Sequence, residues 1–287
     1  MGNSHVGTKT QSSSSVVRKA AYTTLVEASH SHVMRSWLQG STDVSDVTNV
    51  KNYLMGLNGL AFLEKLVEYA DTEAEEDCVS MALQLLRSSL VSLKAESVTL
   101  HLIEKAFAIQ KCSAILARSE SPEVLEAVGN LLTLLCVCFD GRNIVIMIDT
   151  ISVILQKLRA MLDLDRKVGQ GTTEGAIFAL MASLMTVTVD DVCKQQVCSA
   201  DGVEIIIDAL ESRCEIDRTS KVILNTLQCI SNMSEHPEAR KLMRERTVHQ
   251  TIESIRTQAL DEGKDVLAST AERTMTYVRF VHLPRVT

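Results

Sequence analysis

A repeated apolar pattern is the feature that most constrains what this chain can fold into. In four segments a small or β-branched residue is followed by leucine and isoleucine at helical spacing, and the segments begin at Ala82, Ala127, Ala176 and Val222. The steps between these anchors are roughly 45 to 49 residues, which is the period of helical units that stack into solenoids. Because one such unit cannot bury its apolar face alone, the period predicts that each unit covers its neighbour.

A second set of apolar helical stretches repeats in step with the first. Its members follow residues that are small or tolerate a turn, namely Gly59, Ala108, Thr150, Gly202 and Thr247. We expect a bend at each position, because glycine accepts unusual backbone angles and a threonine hydroxyl can cap a helix. Together the two sets predict an all-α fold, a right-handed α-solenoid of about five helical repeats. A final helix over residues 264–281 would cap it.

The composition agrees with this class. The chain has only 3 prolines and 12 glycines, too few for the many tight turns of a large sheet. Aromatic residues are 3% of the chain and hydrophobic residues 46%, so the core must be aliphatic. The formal net charge of −7 argues against nucleic-acid binding, which depends on lysine and arginine, and suits a soluble protein or one that meets a basic partner.

The sequence predicts a cytosolic or cytosol-facing protein. No stretch approaches the roughly eighteen apolar residues of a transmembrane helix, and the N-terminus lacks the apolar centre of a signal peptide. The eight cysteines are therefore expected to be free thiols in apolar helices. Gly2 meets one requirement of N-myristoylation, but Val6 stands where the motif has serine or threonine, so no acyl anchor is expected.

The domain organisation follows from changes in composition along the chain. Residues 1–16 are polar with a serine run and predict a flexible tail. The solenoid is predicted over residues 17–287, with breaks at 162–175 and 211–219. The first predicted repeat, at residues 17–70, is irregular. The other predicted repeats cover about residues 71–120, 121–165, 172–213 and 217–260.

Several polar clusters are interpreted as helix caps and connecting loops. The acidic run from Asp71 to Asp77 suits the first turn of a helix, with a docking patch for a basic partner as the alternative. Asp190 with Asp191 would cap the helix that begins near Val192. The glycine-rich segment 169–175 lacks the ending of a phosphate-binding loop, so Thr172 or Thr173 is expected to cap the next helix.

The sequence contains no constellation that points to catalysis, a metal or a cofactor. Cys136 with Cys138, and Cys193 with Cys198, lack the paired spacings of a zinc site. His30 and His32 are interpreted as surface histidines, and no Gly-x-Ser-x-Gly motif occurs. We therefore expect a protein that is not an enzyme and that carries no cofactor.

A polar stripe on one predicted helix is the candidate partner-binding surface. Its residues are spaced by four, three and four, and they are Lys221, Asn225, Gln228 and Asn232. The matching candidates in the two preceding repeats are Ala179, Ala182 and Thr186, and Glu126, Asn130 and Thr133. A groove floored by alanine and threonine would let a helix or extended peptide approach, with amide side chains pairing its backbone. A solvated helix face is the alternative interpretation.

Two junctions resemble those of armadillo repeats. Residues 230–243 are similar to the third helix and following turn of such a repeat, and residues 140–144 to the same junction two units earlier. The resemblance covers most of residues 50–260. It implies a concave groove with Asn232 as a ligand-facing amide. The positions that match Asn232 are Ser92, Val137 and Thr186, which departs from the asparagine and tryptophan pairs of the nuclear-import adaptors.

These observations predict a non-catalytic scaffold or adaptor that binds a protein partner along its concave face. Membership of a ciliary, axonemal or other cytoskeletal assembly is an expectation from the family resemblance only. The alternative function is an armadillo-type regulator of an enzyme or chaperone, for example one that promotes nucleotide exchange by Hsp70.

Overall fold

The computed structural model describes residues 57–93, 96–168, 173–217 and 220–279. Within these ranges every regular element is an α-helix, so the all-α class is confirmed. The predicted tail at 1–16, His30 and His32 lie outside the described residues. The helices are α1 (Leu57–Thr72), α2 (Glu76–Leu93), α3 (Glu96–Glu104), α4 (Ala108–Arg118), α5 (Pro122–Leu135), α6 (Phe139–Met147), α7 (Thr150–Val168), α8 (Glu174–Val187), α9 (Asp191–Ser199), α10 (Gly202–Ile216), α11 (Lys221–Met233), α12 (Pro237–Glu245), α13 (Val248–Asp261) and α14 (Asp265–Arg279).

The described helices form two compact units, divided between Leu135 and Cys136. The first unit contains α1 to α5. In it, α1 packs against α2 and α4, and α2 packs against α5. The second unit contains α6 to α14. There α8 packs against α11 and α11 against α14, while α7 packs against α10 and α10 against α13.

One succession of three helices recurs four times within the described residues. A helix of 13 to 18 residues is followed by a helix of 9 residues and then by one of 11 to 19 residues. The nine-residue helices are α3, α6, α9 and α12. This succession accounts for the period seen in the sequence, because each turn of the pattern adds one copy of the same three elements.

A residue with positive φ precedes the third helix of every succession. The four residues are Phe107, Asp149, Asp201 and Thr247, with φ between 52° and 54°. In three cases the bend falls one residue before the predicted one. The predicted residues are the first residues of helices, and they are Ala108, Thr150 and Gly202. Thr247 was identified correctly, but its side chain makes no cap hydrogen bond. Gly59 lies inside α1.

Gly202 is required by close packing and not by its backbone angle. A Cβ atom at this position would lie 2.7 Å from Leu155 Cδ1, 2.7 Å from Val197 Cγ1 and 2.8 Å from the Val197 carbonyl oxygen. Carbon atoms do not approach one another this closely in a packed interior. The absence of a side chain lets the start of α10 lie directly against α7 and α9.

Two helices extend into the breaks predicted at 162–175 and 211–219. Helix α7 continues to Val168 and α10 to Ile216. Asp165 and Arg213, with side chains 7% and 3% exposed, form an ion pair of 3.0 Å between Oδ2 and Nη2 in these last turns. Thr173 is the N-cap residue of α8, one of the two positions predicted, but its hydroxyl donates to Asp165 Oδ1 at 2.7 Å and makes no cap hydrogen bond. Residues 169–172 lie outside the described residues.

The other predicted caps are largely confirmed. Asp190 accepts a hydrogen bond from the backbone N–H of Val192 at 2.9 Å. Glu76 and Asp77 lie in the first turn of α2. Asp71, however, belongs to the end of α1, where its side chain and carbonyl accept hydrogen bonds from Arg118.

The core of the described residues is aliphatic, as the composition predicts. Its buried hydrophobic residues are leucine, isoleucine, valine, alanine, methionine and cysteine, and no described aromatic side chain is fully buried. None of the eight cysteines, all of which lie in described residues, forms a disulfide. Burial raises the pKa of Cys112, Cys193 and Cys229 to about 12, which keeps these thiols protonated and unreactive at neutral pH. Across the described ranges, no helix combines the length and apolar character needed to cross a membrane.

Candidate partner-binding groove

A groove with a volume of about 510 Å³ opens in the second unit. It is bounded by the ends of α8 and α11, by α14, and by the turn and helix α6 that begin this unit. We call it the α11 groove, because α11 packs between α8 and α14. Its polar lining residues include Arg142, Thr186, Gln228, Asn232, Glu235 and Arg273. Its apolar lining consists of Val137, Met185 and Val189 together with the ring of Tyr277.

Three of the predicted contact residues line the α11 groove: Thr186, Gln228 and Asn232. Lys221 is exposed and Asn225 half-buried on the same helix, outside the groove lining. Ala179 and Ala182 are only 0% and 7% exposed, because α8 packs against both α7 and α11. The predicted alanine floor is therefore wrong at these two positions, whose small side chains serve helix packing instead.

The remaining predicted contact residues belong to α5 of the first unit. Glu126 is exposed, and Asn130 and Thr133 are half-buried. The Thr133 hydroxyl donates to the carbonyl of Gly129 at 2.9 Å within its own helix. None of the three lines the α11 groove, which is built from residues of the second unit.

Asn232 ties α11 to the end of α8. Its Nδ2 donates to the carbonyl oxygen of Met185 at 3.1 Å and to Thr188 Oγ1 at 3.3 Å. The last carbonyl groups of a helix have no hydrogen-bond donor within the helix. At the end of α8 the side-chain amide of Asn232 supplies one such donor. Asn232 Oδ1 accepts no hydrogen bond from a described residue, and it remains available as an acceptor within the groove.

We expect Asn232→Ala to lower the free energy of unfolding by about 1 kcal/mol, because the half-buried Met185 carbonyl loses one of its two side-chain donors and keeps only the hydroxyl of Thr188. Asn232→Asp should cost at least as much, since a carboxylate of the same shape cannot donate to Met185. Gln228→Ala, in the same groove, is the control and should change stability by less than about 0.5 kcal/mol. Urea unfolding of the three variants measures the differences. Wild-type stability for Asn232→Asp would show that these hydrogen bonds contribute nothing.

A basic residue occupies the same place at three helix junctions. Arg142 Nη1 donates to the carbonyls of Cys136 at 3.1 Å and Val137 at 2.7 Å, just after α5 ends. Arg240 Nη1 donates to the carbonyl of Ser234 at 3.1 Å, just after α11 ends. Lys194 is the counterpart after α8. Each joins a nine-residue helix to its surroundings, and the two arginines lie in the junctions that the sequence identified as most repeat-like.

Lys194 is the ion-pair partner of Glu235, the acidic residue of the groove. Its side chain is 1% exposed, and its ammonium group pairs with Glu235 and, at 2.9 Å, with Asp191. Burial by itself would lower the pKa of Lys194, but the hydrogen bonds to Glu235 and Asp191 outweigh burial and raise it. The lysine therefore stays charged and offsets part of the negative charge of Glu235, because it shares its single positive charge between Glu235 and Asp191.

Sequence analysis missed Arg273 and Tyr277, because α14 was interpreted only as a capping helix. The two residues are four apart and therefore share one face of α14. That face lies on the opposite side of α14 from the buried positions Ala271, Met275 and Val278. A polar and an aromatic residue at this spacing on an otherwise amphipathic helix is the signal that could have identified them.

Other clusters in the described residues do not form a reactive or metal-binding site. No group of three or more potential metal ligands occurs among the described histidine, cysteine and acidic residues. Cys198 Sγ lies 3.4 Å from His236 Nδ1, but burial raises the pKa of this thiol, whereas an activated nucleophile needs it lowered. A smaller cavity of about 230 Å³ in the first unit is lined by Arg118 and Ser119, both bonded to neighbouring groups.

Comparison with known proteins gives a likeness of fold. No protein-family model matches the sequence, and no curated protein matches it. Among solved structures, the crystal structure of an engineered protein is similar over 87% of this chain, with a TM-score of 0.60 and 15% identity. The chain spans 58% of that structure's length. At this identity the likeness extends to the helical fold alone.

Proposed function

We propose that the chain is an armadillo-like α-solenoid that acts as a non-catalytic scaffold and binds a segment of a protein partner in the α11 groove. The observation that carries the proposal is the groove itself. It presents amide, guanidinium and aromatic groups on the ends of helices that are fixed by their own packing. Rigid helices that present convergent polar groups beside apolar side chains are typical of peptide-recognition surfaces.

The spacing of contacts along the chain supports the solenoid interpretation. In a solenoid each repeat contacts only its neighbours, so long-range contacts concentrate near one repeat period. Four hydrogen-bonded pairs within the two units are separated by 42 or 47 residues: Arg118 with Asp71, Asn232 with Met185, Thr274 with Leu227, and Arg246 with Glu204. The helix pairs α8 with α11 and α11 with α14 repeat the same relation.

The chemistry of the groove favours binding over catalysis. Gln228 is half-buried and Asn232 Oδ1 is a free acceptor, so both can pair with the backbone of a bound segment. The raised pKa values of the buried thiols are the opposite of what a nucleophile requires. The volume of about 510 Å³ is sufficient for a few side chains of a peptide.

Site-specific photo-crosslinking in the full chain tests this function. A photoreactive amino acid at Gln228, inside the groove, is expected to form a defined adduct with one partner in the protein's own cells. The same group at Asp261, exposed at the end of α13 and outside the groove lining, is the matched control and should give no such adduct. Equal labelling from both positions, or no adduct from Gln228, would contradict the proposal.

A further inference from the structure

We infer that the α11 groove selects an acidic partner segment, one with carboxylates that pair with Arg142 and Arg273 and an apolar side chain that packs against Tyr277. This inference rests on the proposed function and adds the chemistry of the partner. It is opposite to the expectation from the net charge of −7, which favours a basic partner.

The charges that face the groove leave an excess of positive charge. Lys194 pairs with both Glu235 and Asp191, so this cluster beside the groove carries a net charge of −1. Arg142 and Arg273 also line the groove, and no described carboxylate lies within ion-pair distance of either. Neither guanidinium group has a carboxylate partner among the described residues, and together with Lys194, Glu235 and Asp191 they leave a net charge of +1 at the groove, although the chain as a whole is acidic.

Several arginines of the second unit receive carboxylates from the chain itself, although others among the described residues, such as Arg240, bond only to a backbone carbonyl. Arg213 is paired with Asp165. Arg246 contacts three acidic side chains of α10, and Arg256 pairs with Glu253 and Glu272. Carboxylates are thus supplied internally to several arginines of this unit. At the groove they would have to come from outside, and guanidinium groups bind carboxylates with high directional preference.

Arg142 is held in place before any partner arrives. Its Nη1 donates to the carbonyls of Cys136 and Val137, which fixes the plane of the guanidinium group. A fixed donor loses less conformational entropy on binding than a free side chain does. Arg273 is exposed on α14 and makes no hydrogen bond to a described residue, so it can adapt to a second carboxylate.

An apolar edge accompanies the two cations. Val137, Val189 and Tyr277 line the groove and are 67%, 54% and 39% exposed. Burial of a single apolar side chain against them favours binding, and the paired charges add orientation and a faster encounter. The surface thus fits an acidic segment that contains an aliphatic or aromatic residue, and it disfavours a lysine-rich one.

Fluorescence anisotropy with three labelled peptides tests the inference on the full chain. The peptides repeat the triplets Glu-Glu-Leu, Gln-Gln-Leu and Lys-Lys-Leu, and differ only in charge. We expect the acidic peptide to bind at least about 10-fold more tightly than the others at low salt, and less tightly as salt screens the charges. Equal or stronger binding of the lysine peptide, or no binding of the acidic one, would overturn the inference.

Arg273→Glu is the decisive variant, because its exposed side chain has no described partner whose loss could unfold the chain. It should weaken binding of the acidic peptide by about 10-fold and strengthen binding of the lysine peptide. Arg159→Glu makes the same charge change at an exposed position outside the groove lining and should alter affinity less than about 2-fold through long-range charge alone. Equal effects of the two variants would contradict a role for the groove.

The photo-crosslinking experiment separates the two proposals. An adduct from Gln228 that maps to a basic or uncharged segment of the partner would leave the scaffold function standing and overturn the acidic selectivity. An adduct that maps to an acidic segment supports both. The absence of any adduct contradicts the scaffold function itself.

Discussion

Replacing Arg213 by methionine is expected to lower the free energy of unfolding by about 3–5 kcal/mol, the cost of leaving a buried charge without its partner. Asp165 is 7% exposed, and without the guanidinium group it would keep only the hydroxyl of Thr173. Asp165→Leu should be similarly destabilising, because Arg213 is 3% exposed and would then be the unpaired charge. Urea unfolding of the full chain, followed by helical circular dichroism, measures both losses.

The double variant Asp165→Leu with Arg213→Met should recover most of this loss. Arg213 Nη2 is close to Asp165 but makes no hydrogen bond, so the pair recovers little of the cost of removing two charges from water. Two apolar side chains of similar volume avoid that cost, and the double variant should lie within about 1 kcal/mol of the wild type. Single variants that each cost less than about 1 kcal/mol would contradict the buried pairing.

Gly202→Ala is expected to lower the free energy of unfolding by about 1–3 kcal/mol, because a single methyl group would overpack the start of α10. Leu155 and Val197 would each have to move, and the Val197 carbonyl oxygen at 2.8 Å belongs to backbone that cannot rotate away. Gly202→Asn should be worse still, since a longer side chain meets the same neighbours. The measurement is the shift of the urea midpoint at constant slope.

Gly263 provides the matched control for this prediction. It has φ of +68°, and no atom lies within 4 Å of a Cβ built there. Replacement by alanine should therefore lower the free energy of unfolding by about 1 kcal/mol, because alanine is strained at this positive φ. Asparagine tolerates this conformation better and should lower it by less. Alanine should therefore be less destabilising than asparagine at position 202, and asparagine less destabilising than alanine at position 263. The same order at both positions would contradict the packing explanation for Gly202.

The helices and their period could be predicted from sequence because the responsible signal is local. Apolar residues at helical spacing define α8 and α11 whatever their neighbours are. The same locality explains the correct assignment of Asp190, whose side chain bonds to an N–H two residues along the chain. The aliphatic core also follows directly from composition, because few aromatic residues are present to fill it.

The errors lie where distant parts of the chain meet. The extension of α7 and α10 depends on Asp165 and Arg213, whose pairing is visible only once both helices are placed side by side. The positive φ of Phe107 runs against its residue type, so a local rule that favours glycine chose the wrong position. Ala179 was expected in a groove because it is small, but the same property lets α11 pack closely over it.

The groove was identified only in part for the same reason. Gln228 and Asn232 were found because they share a face of one helix, which is a local property. Arg273 and Tyr277 complete the groove from α14, and only the packing of α14 against α11 brings them there. The amide donors of Asn232 proved to be used internally, a role that a family resemblance does not reveal.

The central claim is that the helices of the second unit stack serially, each layer on the one before, and so form the α11 groove. Hydrogen exchange of the full chain, measured by mass spectrometry in low urea, tests it most directly. A serial stack opens from its end. The free energy of opening measured for peptides from α13 and α14 should therefore be lower than that for peptides from α8, α10 and α11. A single opening free energy shared by all helices from α6 to α14 would contradict the account.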